Sequence, residues 1–230
     1  MNPTSYSTTV GELDSTSRAQ FISRTYGHLT GAVFAFTLIE VFLFKTGAAE
    51  SIMRVVAHVP WLLVLGAFVL VSWLATRTAH SSSSIGAQYA ALAAYVVAQA
   101  IIFVPLLYLA EYRAEGVIGS AAVVTILGFS ALTAVVFMTR QDFSFLRGIL
   151  WWGGILALGA IVGAVIFHFN LGTWFSVAMI AVAGAAVLYD TSNVLLHYPE
   201  DRHVAAALQL FASVALMFWY VLRLFLGSRR

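Results

Sequence analysis

Long apolar stretches alternate with short polar ones along most of this sequence. Each stretch is close to the roughly 20 residues that an α-helix needs to cross a bilayer, and 230 residues leave room for six or seven of them. The pattern predicts seven membrane-spanning helices, at about residues 21–44, 60–76, 85–110, 117–138, 149–168, 172–196 and 204–226. The expected fold is therefore an all-α polytopic membrane protein.

The two ends of the chain are polar. We predict a polar N-terminal tail at residues 1–20, a single transmembrane domain at 21–226 and a short basic tail at 227–230. Residues 1–17 are expected to be mobile and not to pack. A cleaved signal peptide is the alternative for the first span, because the Gly47-Ala48-Ala49 run suits a signal peptidase. The long hydrophobic run and its long polar leader favour a span.

Composition supports a membrane protein and excludes several functions. Hydrophobic residues make up 61% of the chain and charged residues 10%, against roughly 25% charged in soluble domains. The chain has no cysteine, which excludes disulfides, thiolate metal sites and cysteine nucleophiles. Its net charge is +2, and no basic run indicates nucleic-acid binding. Arginines in the short loops favour a cytosolic N-terminus.

Asp190 is the first functional candidate, because it lies well inside the sixth apolar span. A carboxylate there costs about 2.5–3.5 kcal/mol on insertion scales, so it needs a partner, a proton or a water-filled cavity. Residues at helical spacing share its face, namely Ala183, Ala186, Asn193 and His197. In the returning helix the same spacing aligns Gln209, Ser213 and Tyr220. The two polar stripes are predicted to face each other. The alternative is that Asp190 only caps or hydrogen-bonds a neighbour.

A glycine pair and three further charged residues in or next to the spans also support structural predictions. Gly159 and Gly163 form a GxxxG pair in the fifth span, which predicts a close helix contact. Glu40 lies near the far end of the first span and is expected at the membrane interface. Arg24 and Arg77 are candidate cations for Asp190: a nearby guanidinium favours the carboxylate, whereas burial favours the protonated acid.

Three enzyme or photoreceptor classes are excluded by missing residues. A retinal protein needs a lysine in its last helix, and the single lysine is Lys45 in the first loop. Intramembrane aspartyl proteases need two carboxylates that share a proton, and Asp190 has no second intramembrane aspartate. The segment around Ser130 matches a rhomboid-type nucleophile poorly. We expect no enzymatic activity, no cofactor and no resident metal.

Four segments of the chain stand out: RTYGHLTG in the first span, TRQDFSFLRG after the fourth, LYDTSNVLLH in the sixth and residues 205–225 in the last. Together they resemble the Bax inhibitor-1 family. The resemblance extends from about residue 21 to 225, and the order and spacing of the motifs are specific to the family. Within it the chain looks most like the bacterial YccA group, whose members modulate the FtsH membrane protease. The resemblance implies seven helices with the last one central.

The resemblance also implies two functions. Some family members are pH-sensitive calcium leak channels, in which aspartates of the sixth and seventh helices pair and an arginine latches them. These positions correspond to Asp190, Ser213 and, loosely, Arg77, so this chain lacks the second carboxylate. Two close carboxylates share a proton and so tune a pH response, which makes a calcium leak the weaker reading.

The leading hypothesis is a non-enzymatic regulator in a bacterial inner membrane that binds an FtsH-type protease. The alternative is a pH-sensitive calcium or cation leak pathway built around Asp190 and Ser213, with Arg77 as the gating cation and Arg24, Asn193 and His197 in support. A third reading is a structural membrane protein without transport.

Overall fold

The computed structural model describes residues 9–82, 84–113 and 115–228. Within these residues a short 3-10 helix, Val10–Glu12, precedes eight α-helices. They are α1 (Ser15–Lys45), α2 (Ala48–His58), α3 (Trp61–Ser81), α4 (Ile85–Arg113), α5 (Val117–Thr139), α6 (Leu146–Ile166), α7 (Gly172–Leu196) and α8 (His203–Ser228). The predictions for residues 1–8 and for the Arg229–Arg230 pair lie outside the described residues.

Seven of the described helices, all except α2, are long and apolar enough to cross a membrane. This confirms the all-α, multi-pass fold that the apolar pattern predicts. The short helix α2 lies between the first two spans and packs on α1 and α4. It begins after Gly47, whose φ of +76° is a left-handed conformation that glycine adopts without strain.

Helix α8 lies at the centre of the bundle, as expected for this architecture. It contacts α1, α3, α4, α5 and α7. Its first turns contain three consecutive alanines, and residues 204–208 are all 0% exposed. Small side chains allow helix backbones to approach closely within a membrane. The alanine run therefore explains why several helices can surround this end of α8.

The segment before α1 is packed, so the expectation of a mobile tail is wrong for residues 9–17. Thr9 forms a β-bridge with Pro199, and the Val10 N–H donates to the Tyr198 carbonyl at 2.9 Å. The Val10 side chain is 0% exposed. Asp14 then caps α1 by accepting from the Thr16 N–H at 2.9 Å, and this is why the helix begins at Ser15 instead of residue 21. Hydrogen bonds from Ser17 hold the pKa of Asp14 below its usual value.

The predicted close contact at Gly159 and Gly163 is also wrong. A Cβ at Gly159 would meet no atom within 4 Å among the described residues, and one at Gly163 would meet only the Phe169 ring at 4.0 Å. Helix α6 lies at the edge of the bundle, where it contacts α7 and α3. The GxxxG spacing identifies a smooth helix face but not which neighbour, if any, covers it.

Glu40 is buried within the bundle, and its predicted depth near the membrane interface stays a prediction. Its side chain is 7% exposed, and neither carboxyl oxygen has a hydrogen-bond partner among the described residues. The first span ends five residues later at Lys45, so sequence position alone suggested the interface. Packing against α4 and α8 places this face of α1 inside the bundle.

Candidate functional site

The candidate site lies where α7 packs against α8. The two helices are joined by a short turn, and their contact is the most extensive in the bundle. Asp190 of α7 is 2% exposed and Ser213 of α8 is 4% exposed. The Ser213 hydroxyl donates a hydrogen bond to the Asp190 carboxylate. The contact expected from the two polar stripes is therefore present. Ala183 lies about two helical turns before Asp190 on the same face of α7. It is fully buried, and its small side chain lets α8 approach.

Two cavities meet at Asp190. The larger, of about 690 Å³, extends between α3, α4, α6, α7 and α8 to Arg223 near the far end of α8. The smaller, of about 350 Å³, lies among α3, α7 and α8 on the side of the α7–α8 turn. Tyr189, Asp190 and Gln209 line both cavities. Asp190 therefore lies at the boundary between the two cavities.

The larger cavity also contains polar groups that the sequence did not identify. Tyr95 and Gln99 of α4 line it, and the Gln99 amide donates to the Tyr95 hydroxyl at 3.0 Å. Their i, i+4 spacing places them on one helix face. Nothing in the sequence indicated that this face of α4 is the one that lines the cavity beside α8.

Arg77 and Asn193 line the smaller cavity together with Asp190. The Arg77 guanidinium lies over the Trp73 ring, 5.1 Å from its centroid. In the described part of the chain, Arg77 has no carboxylate within the 4.0 Å that defines an ion pair. The structure thus brings the candidate latch arginine to the cavity of Asp190 but not into contact with the acid.

Tyr198 closes the smaller cavity at the α7–α8 turn. Its hydroxyl lies 2.9 Å from His80 Nε2 of α3. Burial raises the pKa of the Tyr198 phenol, so the hydroxyl stays neutral. The Tyr198 backbone carbonyl accepts from Val10. This residue therefore connects the N-terminal segment to the wall of the candidate site.

Arg24 and His197 lie away from Asp190. Arg24 lines a separate groove between α1 and α4, beside His28 and Tyr89. His197 Nε2 is 3.3 Å from an Asp142 carboxylate oxygen, and both side chains are about half exposed. Helical spacing put His197 on the face of Asp190, but α7 ends at Leu196. The imidazole is therefore beyond the helix and turns toward the α5–α6 loop.

The TRQDFSFLRG and LYDTSNVLLH segments contact each other at the α5–α6 loop. The Phe143 N–H donates to the Ser192 hydroxyl of α7 at 3.2 Å. The Ser144 backbone N–H donates to Asp142 at 2.8 Å, and the Ser144 hydroxyl binds the same carboxylate. These hydrogen bonds hold the pKa of Asp142 below its usual value. Sequence reasoning missed Ser192, although it stands two residues after the singled-out aspartate.

Comparison with known proteins assigns the chain to a family. The model of the family described as inhibitor of apoptosis-promoting Bax1 matches residues 18–230. This chain belongs to the Bax inhibitor-1 family. The match covers all eight α-helices of the described residues except the first three residues of α1.

Named relatives of this Bax inhibitor-1 family protein occur in bacteria and yeast. The modulator of FtsH protease YccA from Escherichia coli K12 is 27% identical over 83% of this chain and 85% of the relative. Bax inhibitor 1 of Schizosaccharomyces pombe is 26% identical over 94% of this chain and 80% of the relative. An uncharacterised Pseudomonas aeruginosa protein is 32% identical over 52% of this chain, and the chain spans about half, 54%, of that relative.

No group of three histidine, aspartate or glutamate side chains that could hold a metal ion occurs in residues 9–82, 84–113 and 115–228 of this Bax inhibitor-1 family protein. A buried carboxyl with a hydroxyl donor can exist in a charged or a neutral form, and each form makes different hydrogen bonds.

Proposed function

We propose that this protein is a non-enzymatic regulator of membrane-protein quality control that binds an FtsH-type protease in a bacterial inner membrane. The observation that carries the proposal is the similarity to the E. coli modulator of FtsH protease, which extends over 83% of this chain. A YccA relative from another E. coli strain is named an inner membrane protein at the same identity. The relatives are named as a modulator and an inhibitor, and neither name describes a catalyst.

The face that carries the α7–α8 turn is the proposed contact surface for the protease. Three connected segments form it: the Val10–Glu12 helix, the α5–α6 loop and the α7–α8 turn. Arg202 of the turn also donates to the Ser82 carbonyl of the α3–α4 connection. The arginine bias of the loops favours this side as cytosolic. A soluble protease domain would approach such a surface without entering the membrane.

Reconstitution tests the proposal directly. A purified FtsH-type protease and a membrane-protein substrate are placed in proteoliposomes with and without this protein, and the half-life of the substrate is followed. A seven-helix membrane protein of another family, at the same molar ratio, controls for crowding of the bilayer. We expect a change in half-life and co-purification with the protease. An unchanged half-life together with no co-purification would contradict the proposal.

A pH-responsive cation leak is the second candidate function. The observation that favours it is the position of Asp190, hydrogen-bonded to Ser213, at the boundary between two cavities. Oxygen atoms suit calcium, which binds six to eight of them, and Asp190, Ser213 and Gln209 supply oxygens along the path. Calcium flux into proteoliposomes between about pH 5 and pH 8 is the test. Flux equal to that of protein-free vesicles across this range would exclude the leak.

A further inference from the structure

Glu40 is a buried acid that the proposed function does not use. Its carboxyl oxygens have no hydrogen-bond partner among the described residues, although the side chain is only 7% exposed. Buried polar groups in proteins nearly always have a partner, because an unpaired buried carboxyl is costly. Asp190, the other deeply buried acid among the described residues, accepts a hydrogen bond from Ser213. The missing partner of Glu40 therefore calls for an explanation.

Glu40 lines a cavity of about 450 Å³ between α1, α4, α5 and α8. This volume lies in the range of small-molecule sites, roughly 300–1,000 Å³. Neither Asp190 nor Ser213 lines this cavity. It is thus a second internal space, near the end of α1 that is remote from the α7–α8 turn.

The remaining wall of the cavity is mostly apolar and partly aromatic. Five phenylalanines from α1, α4 and α8 contribute to it: Phe36, Phe44, Phe103, Phe211 and Phe218. The Phe36 and Phe103 centroids are 5.2 Å apart, and Phe103 stacks on Phe218 at 5.6 Å. The faces of aromatic rings attract cations, most strongly where water is excluded. Apolar rings around one carboxyl suit a ligand that is both apolar and positively charged.

The charges around the cavity favour a cation. Glu40 and Glu111 line it, and Lys45 is the one basic residue of the lining. No ion pair within 4.0 Å joins these three side chains in the described part of the chain. A metal ion is disfavoured because calcium requires six to eight oxygen ligands, whereas this wall is mostly hydrocarbon. An organic cation needs only one counter-ion and an apolar surface.

The geometry points to a binding site for a lipophilic organic cation, an ammonium or phosphonium on an apolar body, with the Glu40 carboxylate as its counter-ion. The ligand enters laterally from the lipid. Val41 on α1 and Ile126 on α5 flank the cavity and are 45% and 57% exposed on the outer surface of the bundle. Lipophilic cations partition into membranes, so this entrance supplies them at high local concentration.

Equilibrium binding of tetraphenylphosphonium to the full chain in detergent tests the site. We expect saturable binding that Glu40→Gln weakens about tenfold or more, because the variant keeps the shape and removes the counter-ion. Glu50→Gln on α2 is the matched control: it removes an exposed acid that does not line the cavity and leaves the affinity unchanged. Tetraphenylborate has the same shape and the opposite charge, and it is expected to bind much more weakly.

Ala122→Phe provides a second, independent variant. Ala122 of α5 lines the cavity, so a phenyl ring there occupies the space and competes with the ligand without altering any charge. If Glu40→Gln does not fold, loss of binding in Ala122→Phe still supports the site, and full binding in it overturns the proposal. Equal affinity of wild type and a folded Glu40→Gln also overturns it, as does equal affinity for the two probes of opposite charge.

Discussion

The Ser213 hydroxyl of α8 donates a hydrogen bond to the Asp190 carboxylate of α7 at the boundary between two cavities. Both residues are at least 96% buried. The bond joins the two predicted polar stripes and helps to set the relative rotation of α7 and α8 at this level. Stability and gating can be tested separately at this pair.

Removing the donor should destabilise the bundle. Ser213→Ala leaves the buried Asp190 carboxyl without its hydroxyl partner, and the expected loss in the free energy of unfolding is about 1–3 kcal/mol. Thermal unfolding in detergent measures it. Ser120→Ala is the control, because that exposed hydroxyl bonds only to the Gly116 carbonyl of its own helix. Equal melting temperatures for the two variants would show that the Ser213 bond contributes nothing.

Changing the charge at this pair should change the pH response of any leak. Asp190→Asn keeps the size of the side chain and removes its ionisation, so flux is expected to become less sensitive to pH. Ser213→Asp creates two facing carboxyl groups that cannot both ionise, so the response is expected at higher pH. Calcium flux between about pH 5 and pH 8 is measured for each. Identical profiles in wild type and both variants would leave Asp190 a structural residue.

The packed N-terminal segment depends on a glycine. A Cβ at Gly11 would lie 2.8 Å from the Leu196 carbonyl oxygen, which is backbone at the end of α7. Gly11→Ala must therefore displace the Val10–Glu12 helix, at an expected cost of about 1–3 kcal/mol. Faster proteolysis of the N-terminal segment would report this displacement. Gly148→Ala is the control, since its Cβ would meet no atom within 4 Å in the described residues, and it should be protected like wild type.

Two glycines distinguish a covered helix face from an open one. A Cβ at Gly184 of α7 would lie 3.3 Å from Leu132 of α5, whereas Gly159 of α6 faces open space in the described structure. Gly184→Leu is expected to lower stability by about 1–3 kcal/mol, and Gly159→Leu to change it by less than about 0.5 kcal/mol. Melting temperatures of the two purified variants measure this difference in stability. A large loss of stability in Gly159→Leu would show that this face of α6 does make a close contact.

Residues 1–8 are proposed to engage the protease. Their deletion is expected to alter turnover of this protein by an FtsH-type protease. Deletion of residues 1–13 also removes Val10 and Gly11, which pack on the α7–α8 turn. This longer deletion should lower the melting temperature as well as alter turnover. Half-lives in a protease-proficient cell are compared. An unchanged half-life after deletion of 1–8 would assign no role to this segment.

The sequence by itself determined the number of spans and the meeting of Asp190 with Ser213. Spans follow from the length of apolar runs, which is a local property of the chain. The Asp190–Ser213 contact follows almost as locally, because a short turn makes α7 and α8 antiparallel neighbours and helical periodicity then aligns their polar stripes. The capping of α1 by Asp14 was also readable from local sequence, but it was overlooked.

The tertiary structure alone decided which helix faces are covered. In the structure Glu40 is buried, the helix face at Gly159 is uncovered, and Arg24 lines a groove away from Asp190. Val10 packed because the turn near Tyr198, almost two hundred residues later in the sequence, lies beside it. In a membrane span nearly every face is apolar, since lipid and helix neighbours both accept apolar surface. Hydrophobic patterning therefore does not distinguish a face toward lipid from a face toward protein, and only the packing of distant helices does.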